Sequence, residues 1–121
     1  MAEIFPLSNG NLARATHEAE EWLTTTFLVF QPPPNPDWPN PMPLQLGIYE
    51  IILSIAPDNI SPAGVKNFLI QYTSTREYHQ MIMESSHRFD LDRNPVMLIA
   101  DEEREYSWRF LNPVSNPEDI A

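Results

Sequence analysis

From Leu12 the apolar residues return every three or four positions: Leu12, Ala15, Ala19, Trp22 and Leu23. That spacing predicts an amphipathic helix with one buried stripe, and Asn11 is placed to cap its start. Glu18, Glu20 and Glu21 lie mostly off the stripe and predict a solvated acidic face. Phe27, Val29 and Phe30 continue as an apolar run that buries as the helix frays. The period resumes at Ile48, Ile51, Ile52 and Ile55, predicting a second helix from Pro43 or Leu44 that ends at Ala56–Asn59. Gly47 inside such a helix costs about 1 kcal/mol against alanine, so it implies close approach of another backbone. Ser61-Pro62 combines an N-cap serine with proline at the first helical position. Val65, Phe68, Leu69 and Tyr72 then form a third stripe, broken at Thr73. Ser74-x-x-Glu77 matches a capping box that reopens helix, with Tyr78, Met81 and Ile82 on its inner face.

His87 to Ala100 has the short apolar runs and turn residues of a hairpin. Arg88 and Phe89 fall on the first strand, Asp90 to Pro95 in the turn and Val96 to Ile99 on the second strand. Asp90, Asp92 and Asn94 suit a turn whose side chains bond nearby amides. Asp101 is placed to cap a last helix, with Glu102 and Glu103 in its first turn and Arg109 near its end. Tyr106 and Phe110 pair at i,i+4 on one side of it, and Asn112-Pro113 stops it. The expected fold is mostly α, in the α+β class, with five helices and one small β-hairpin near 86–100. Residues 1–10 read as a loose lead-in, 11–112 as a single domain and 113–121 as a tail.

Between these elements, residues 31–43 hold seven of the 13 prolines. Proline supplies no amide donor and restricts the residue before it, which excludes helix and central strand. Two readings fit: a polyproline-like strap over the core pinned by Trp38, or a ligand for a proline-binding domain.

Composition narrows the function. The chain has 121 residues, 42% of them apolar, enough for one domain with a real core. There is no cysteine, which excludes disulfides and thiolate metal sites. No apolar run approaches the roughly 18 residues of a membrane span, and the start lacks a signal-peptide pattern. A soluble, cytoplasmic and monomeric protein is expected. The net charge is -10, from seven basic and 17 acidic residues. Such a chain repels polyanions at long range, so any nucleic-acid binding has to use a local site.

Catalytic and metal patterns are missing. Asp90-x-Asp92-x-Asn94 begins like a calcium loop, but Pro95 and Asp101 stand where that loop has its glycine and late glutamate. His17, His79 and His87 lack ligand spacing, the three glycines are isolated, and no G-x-S-x-G is present. The sequence points to no enzyme, cofactor or metal. One combination remains. A helix start at Thr73-Ser74 offers free amides, and Arg76, Tyr78 and Arg88 are close in sequence, a set that suits one phosphate or the end of a strand. The bland alternative makes Tyr78 a core residue and pairs Arg88 with an aspartate.

At these residues the chain resembles the ProQ/FinO family of bacterial RNA chaperones. The matching pieces are Pro43-Leu44-Gln45-Leu46-Gly47-Ile48, Tyr72-Thr73-Ser74 followed by Tyr78, and Arg88-Phe89-Asp90-Leu91-Asp92 with Asn94-Pro95. The likeness spans about residues 14–111. It implies a compact helical domain with a small hairpin that binds structured RNA with a single-stranded 3′ end. It implies post-transcriptional regulation, by promoting pairing of regulatory RNA with its target. Tyr78 and Arg88 match the family's pocket tyrosine and arginine. Lys66 matches a basic position on the third helix, and Tyr72, Thr73 and Ser74 match the segment capping the RNA-facing helix. Arg76 and Arg93 are added as candidates to replace part of a lost platform.

That platform is depleted. The family commonly has Lys or Arg where this chain has Gln45, Pro62, Ile70 and Glu77, and its turn glycine is Arg93 here. Loss of four charges removes up to about four counterion-release contacts. Two functions follow: recognition of an RNA 3′ end through Lys66, Tyr72, Thr73, Ser74, Arg76, Tyr78, Arg88 and Arg93, or a family fold that has left RNA and now presents an acidic surface to a basic protein.

Overall fold

A computed structural model describes residues 9–113. Its elements are α1 (Asn9–Thr26), a 3-10 turn (Leu28–Phe30), α2 (Ile48–Ile55), α3 (Pro62–Thr73), α4 (Arg76–Glu84), β1 (His87–Phe89), β2 (Pro95–Leu98) and α5 (Asp101–Leu111). The five helices and the antiparallel hairpin are those the sequence predicts, but α1 already runs from Asn9, so Asn11 lies inside the helix instead of capping it and the expected lead-in does not extend to residue 10. Residues 1–8 and 114–121 lie outside the described residues.

The main packing is α1 on α3 and α4 on α5. Ala19 and Leu23 of α1 meet Val65, Phe68 and Leu69 of α3 in one buried cluster. A polar contact registers the pair: Asn67 Nδ2 donates to Thr16 Oγ1 at 3.0 Å. The close backbone approach expected at Gly47 occurs at Gly64 instead. A methyl on Gly64 would overlap the Ala15 carbonyl oxygen and lie 2.6 Å from its carbon. Gly47 has open space around it and is needed for its backbone: φ is +82°, the left-handed region, where it caps α2.

That cap corrects the second helix, which starts at Ile48 and not at Pro43 or Leu44. Residues 43–45 are held outside any helix by β1. The Phe89 amide donates to the Pro43 carbonyl at 2.8 Å and the Gln45 amide to the Phe89 carbonyl at 2.9 Å. Ile48 and Ile52 are buried as expected, but Ile51 and Ile55 are exposed, Ile55 by 53%. With eight residues, α2 makes few contacts besides those to α3, so only one side is covered.

Two caps also shift by one residue. Ser74 closes α3, and Thr75 is the N-cap of α4, its Oγ1 accepting from the Tyr78 amide at 3.0 Å. The Ser74–Glu77 capping box therefore does not form; Glu77 still lies in the first turn, where the helix dipole favours it. At α5 the cap is Ala100, and Asp101 is the first helical residue. Ala100 has no side-chain acceptor, and Glu103 Oε1 satisfies its amide at 2.8 Å. Ser61 behaves as expected, its Oγ accepting from Gly64 N at 3.3 Å.

The hairpin pairs His87 with Leu98 and Arg88 with Met97, with an irregularity before Phe89. In its turn, Asp90 Oδ1 accepts from the amides of Asp92 and Asn94, both at 2.9 Å. Those bonds make the Asp90 carboxylate an acceptor for the turn's own amides, the local bonding the sequence suggested for it.

Candidate nucleic-acid interface

Four side chains, from α3, α4, β1 and the hairpin turn, converge on the backbone of residues 31–44. The Met42 amide donates to Tyr72 Oη at 3.0 Å, and the Leu44 amide donates to Tyr78 Oη at 3.0 Å. Arg88 donates from Nη1 to the Leu44 carbonyl at 2.9 Å. Arg93 donates from Nη2 to the carbonyls of Gln31 and Pro32 at 2.8 and 3.1 Å. These bonds, with burial of Met42, Pro43 and Leu44, fasten the proline-rich strap. Trp38, expected to pin it, is 44% exposed and only borders a small cavity with Met42, Phe89 and Arg93.

On the other side of these anchors lies a cavity of about 320 Å³ between α4, α5 and β1. Thr73, Ser74, Tyr78 and Arg88 line it, joined by His79, Ile82, Tyr106, Ser107 and Phe110. Four of the eight predicted site residues are thus brought together. Tyr72 packs against Tyr78, with ring centroids 5.7 Å apart, but faces the strap. Arg76 borders a separate hollow with Asn40, Glu77 and Gln80. Lys66 is exposed on α3, and Arg93 belongs to the strap.

The electrostatics are mixed. Arg88 is buried, its side chain 10% exposed, and Nη2 lies 2.9 Å from Glu103 Oε2. The carboxylate partner expected under the bland reading exists, but it is a glutamate from α5 and not an aspartate. Arg88 Nε is buried without a hydrogen-bond partner among the described residues. Burial tends to raise the Glu103 carboxyl, but the Ala100 amide and Arg88 outweigh it and hold the group below its ordinary value. Burial pushes the Tyr78 phenol up, partly offset by the Leu44 amide and by Arg88. His79, buried on α4, is pushed down by desolvation, and its Nδ1 lies 2.8 Å from Ser107 Oγ. At neutral pH the cavity therefore holds a neutral phenol, a neutral imidazole and a guanidinium already matched by a carboxylate.

The sequence reading missed His79, Ile82, Ser107 and the part played by Tyr106 and Phe110. The i,i+4 spacing of Tyr106 and Phe110 was the available signal. No short motif links α5 to α4, so only the fold shows that they share a wall.

The sequence model of the ProQ/FINO family matches residues 14–117. The chain belongs to the ProQ/FinO family. Among solved structures, NMB1681 from Neisseria meningitidis MC58, described as a FinO-like RNA chaperone, superposes with a TM-score of 0.69. It is 18% identical, and the alignment covers 87% of this chain and 82% of that one. At this identity the likeness establishes a shared ProQ/FinO-type fold. A search of curated proteins finds no match. No helix among the described residues is long and apolar enough to cross a membrane.

Proposed function

We propose that this chain is an RNA-binding protein that takes the single-stranded 3′ end of a structured RNA into the cavity beside α4, and that it acts in post-transcriptional regulation. Membership of the ProQ/FinO family supports the RNA class. The observation that carries the site is the meeting of Thr73, Ser74, Tyr78 and Arg88 in one cavity at the start of α4. The cavity opens at the α3–α4 junction, next to the start of α4, whose dipole favours a phosphate. The exposed Ser74 hydroxyl adds a neutral donor, while the Thr73 hydroxyl already donates to the Leu69 carbonyl at 2.8 Å. Of the remaining candidates, Lys66 and Arg76 supply outlying positive charge, whereas Tyr72 and Arg93 support the strap.

The experiment is a binding titration against a stem-loop RNA with a single-stranded uridine tail, at low and moderate salt. Ser74 is exposed at the cavity, so Ser74→Glu places a carboxylate there without emptying the core. It should weaken binding about tenfold or more, with an unchanged circular-dichroism spectrum; equal affinity of variant and parent sinks the site.

Neutralisation of Arg88 by Glu103 favours a second reading, a ProQ/FinO fold serving as an acidic protein-interaction module. A pull-down separates the two. Under this reading a basic protein co-purifies and survives nuclease treatment; under the first, RNA co-purifies and is lost.

A further inference from the structure

The cavity has a wall that phosphate binding does not use. Tyr106 and Phe110 stand one turn apart on α5 and line it, 68% and 40% exposed. His79 backs them from α4: its ring stacks on Phe110 with centroids 3.9 Å apart and planes 24° apart, and lies 5.9 Å from Tyr106. The bond between His79 and Ser107 ties α4 to α5 beneath the rings. Three neutral rings are thereby held at one edge of a hollow whose other lining includes Thr73, Ser74 and Arg88.

Charge makes that wall matter. Arg88 and Arg109 are matched by Glu103 and Glu105. Arg93 Nη2 donates to the Gln31 and Pro32 carbonyls, and Arg104 donates to the Ser85 and Ile99 carbonyls with Asp101 3.5 Å from its Nη1. A chain of net charge -10 so arranged gains little from phosphate neutralisation. Stacking on an aromatic ring needs no net charge and accepts any base.

We infer that Tyr106 and Phe110 form a stacking subsite for an unpaired nucleobase of the tail whose end occupies the cavity. This rests on the RNA reading of the same cavity and adds where its affinity comes from. A neutral peptide side chain would also cover the rings, but it would leave the exposed Ser74 hydroxyl at the same cavity without an acceptor. A nucleotide supplies base and phosphate together. Binding therefore has a shallow salt dependence and falls when the base is removed.

The test titrates the whole chain with a stem-loop RNA whose single-stranded 3′ tail is either intact or abasic at its terminal nucleotides. The abasic tail should bind the parent protein about tenfold more weakly. Tyr106→Ala, at a mostly exposed position, should lose a similar factor on the intact tail and nothing further on the abasic one. Tyr106→Phe, which keeps the ring, should restore it. Equal affinity of the parent for both tails overturns the stacking subsite, and the RNA reading then survives if Ser74→Glu still weakens binding. Failure of the parent to bind any of these RNAs overturns both.

Discussion

Arg88 and Arg93 make an instructive pair. Arg88 sits in β1 and Arg93 in the turn that follows it. Each grips backbone carbonyls of the strap segment, and each leaves a buried Nε unpartnered among the described residues. They differ in what balances the charge. Arg88 is buried and meets Glu103, whereas Arg93 has carbonyl dipoles from Gln31 and Pro32 and no carboxylate within ion-pairing distance. A guanidinium more deeply withdrawn from water needs an opposite charge to offset its lost hydration. In a chain this acidic, an arginine can thus survive as a structural clamp whatever else it does. The same holds for Tyr72 and Tyr78, whose phenols accept from strap amides.

The difference can be tested by removing each side chain. Arg88→Met should cost about 3 kcal/mol, the low end for one partner of a buried pair, because Glu103 keeps 26% exposure. Adding Glu103→Gln should recover part of that loss, since the orphaned charge goes while an acceptor for the Ala100 amide remains. Urea denaturation measures both; a loss under about 1 kcal/mol for Arg88→Met would mean that the pair is not structural.

Arg93→Ala should cost less, about 1–2 kcal/mol, because the two carbonyls it leaves can turn to water. Arg93 has φ +68°, in the left-handed region. Arg93→Gly should therefore be milder than Arg93→Ala by about 1 kcal/mol, having lost the same bonds but relieved the backbone. An alanine variant as stable as the glycine variant would remove the strain from this account.

The smallest effect is in pH. His79 and Glu103 both have folded values below their ordinary ones. The unfolded chain therefore takes up these protons first as pH falls. The stability they contribute is present above the unfolded values and is lost on acidification, from about 6.5 downward for His79 and from about 4.3 downward for Glu103. Stability measured between pH 7 and 5 should fall in the parent and hold flatter in His79→Phe, which keeps a ring on Phe110. Arg93→Ala should leave that slope as in the parent, since no titrating group pairs with Arg93. A parent with level stability across this range would contradict the buried, neutral state of His79.

Much of this was legible along the chain. The stripes of α1 and α3 could be read because each helix is long enough for the period to repeat, and Ser61-Pro62 marks a start by local chemistry alone. The turn of the hairpin was equally local, since Asp90 bonds amides within a few residues of itself. The short α2 was not so readable. Four isoleucines at helical spacing promise a buried stripe, yet coverage depends on what packs nearby, and Ile51 and Ile55 receive no cover. Glycine gave the same lesson: Gly47 and Gly64 look alike in sequence, and only the crossing of α1 over α3 makes Gly64 the crowded one.

The site divides along the same line. Thr73, Ser74 and Tyr78 lie within one helix junction, so the sequence alone put them together, and Arg88 joined them as a near neighbour in sequence before the resemblance named it a pocket residue. That Arg88 meets Glu103, that Tyr78 holds Leu44, and that His79 stacks on Phe110 are contacts between residues 15 to 34 positions apart. Local patterning determined the helices, the hairpin and the acidic surface, because those follow from neighbours in the chain. Tertiary packing decided which charges are spent and which rings stay open, because partners distant in sequence set burial and pairing.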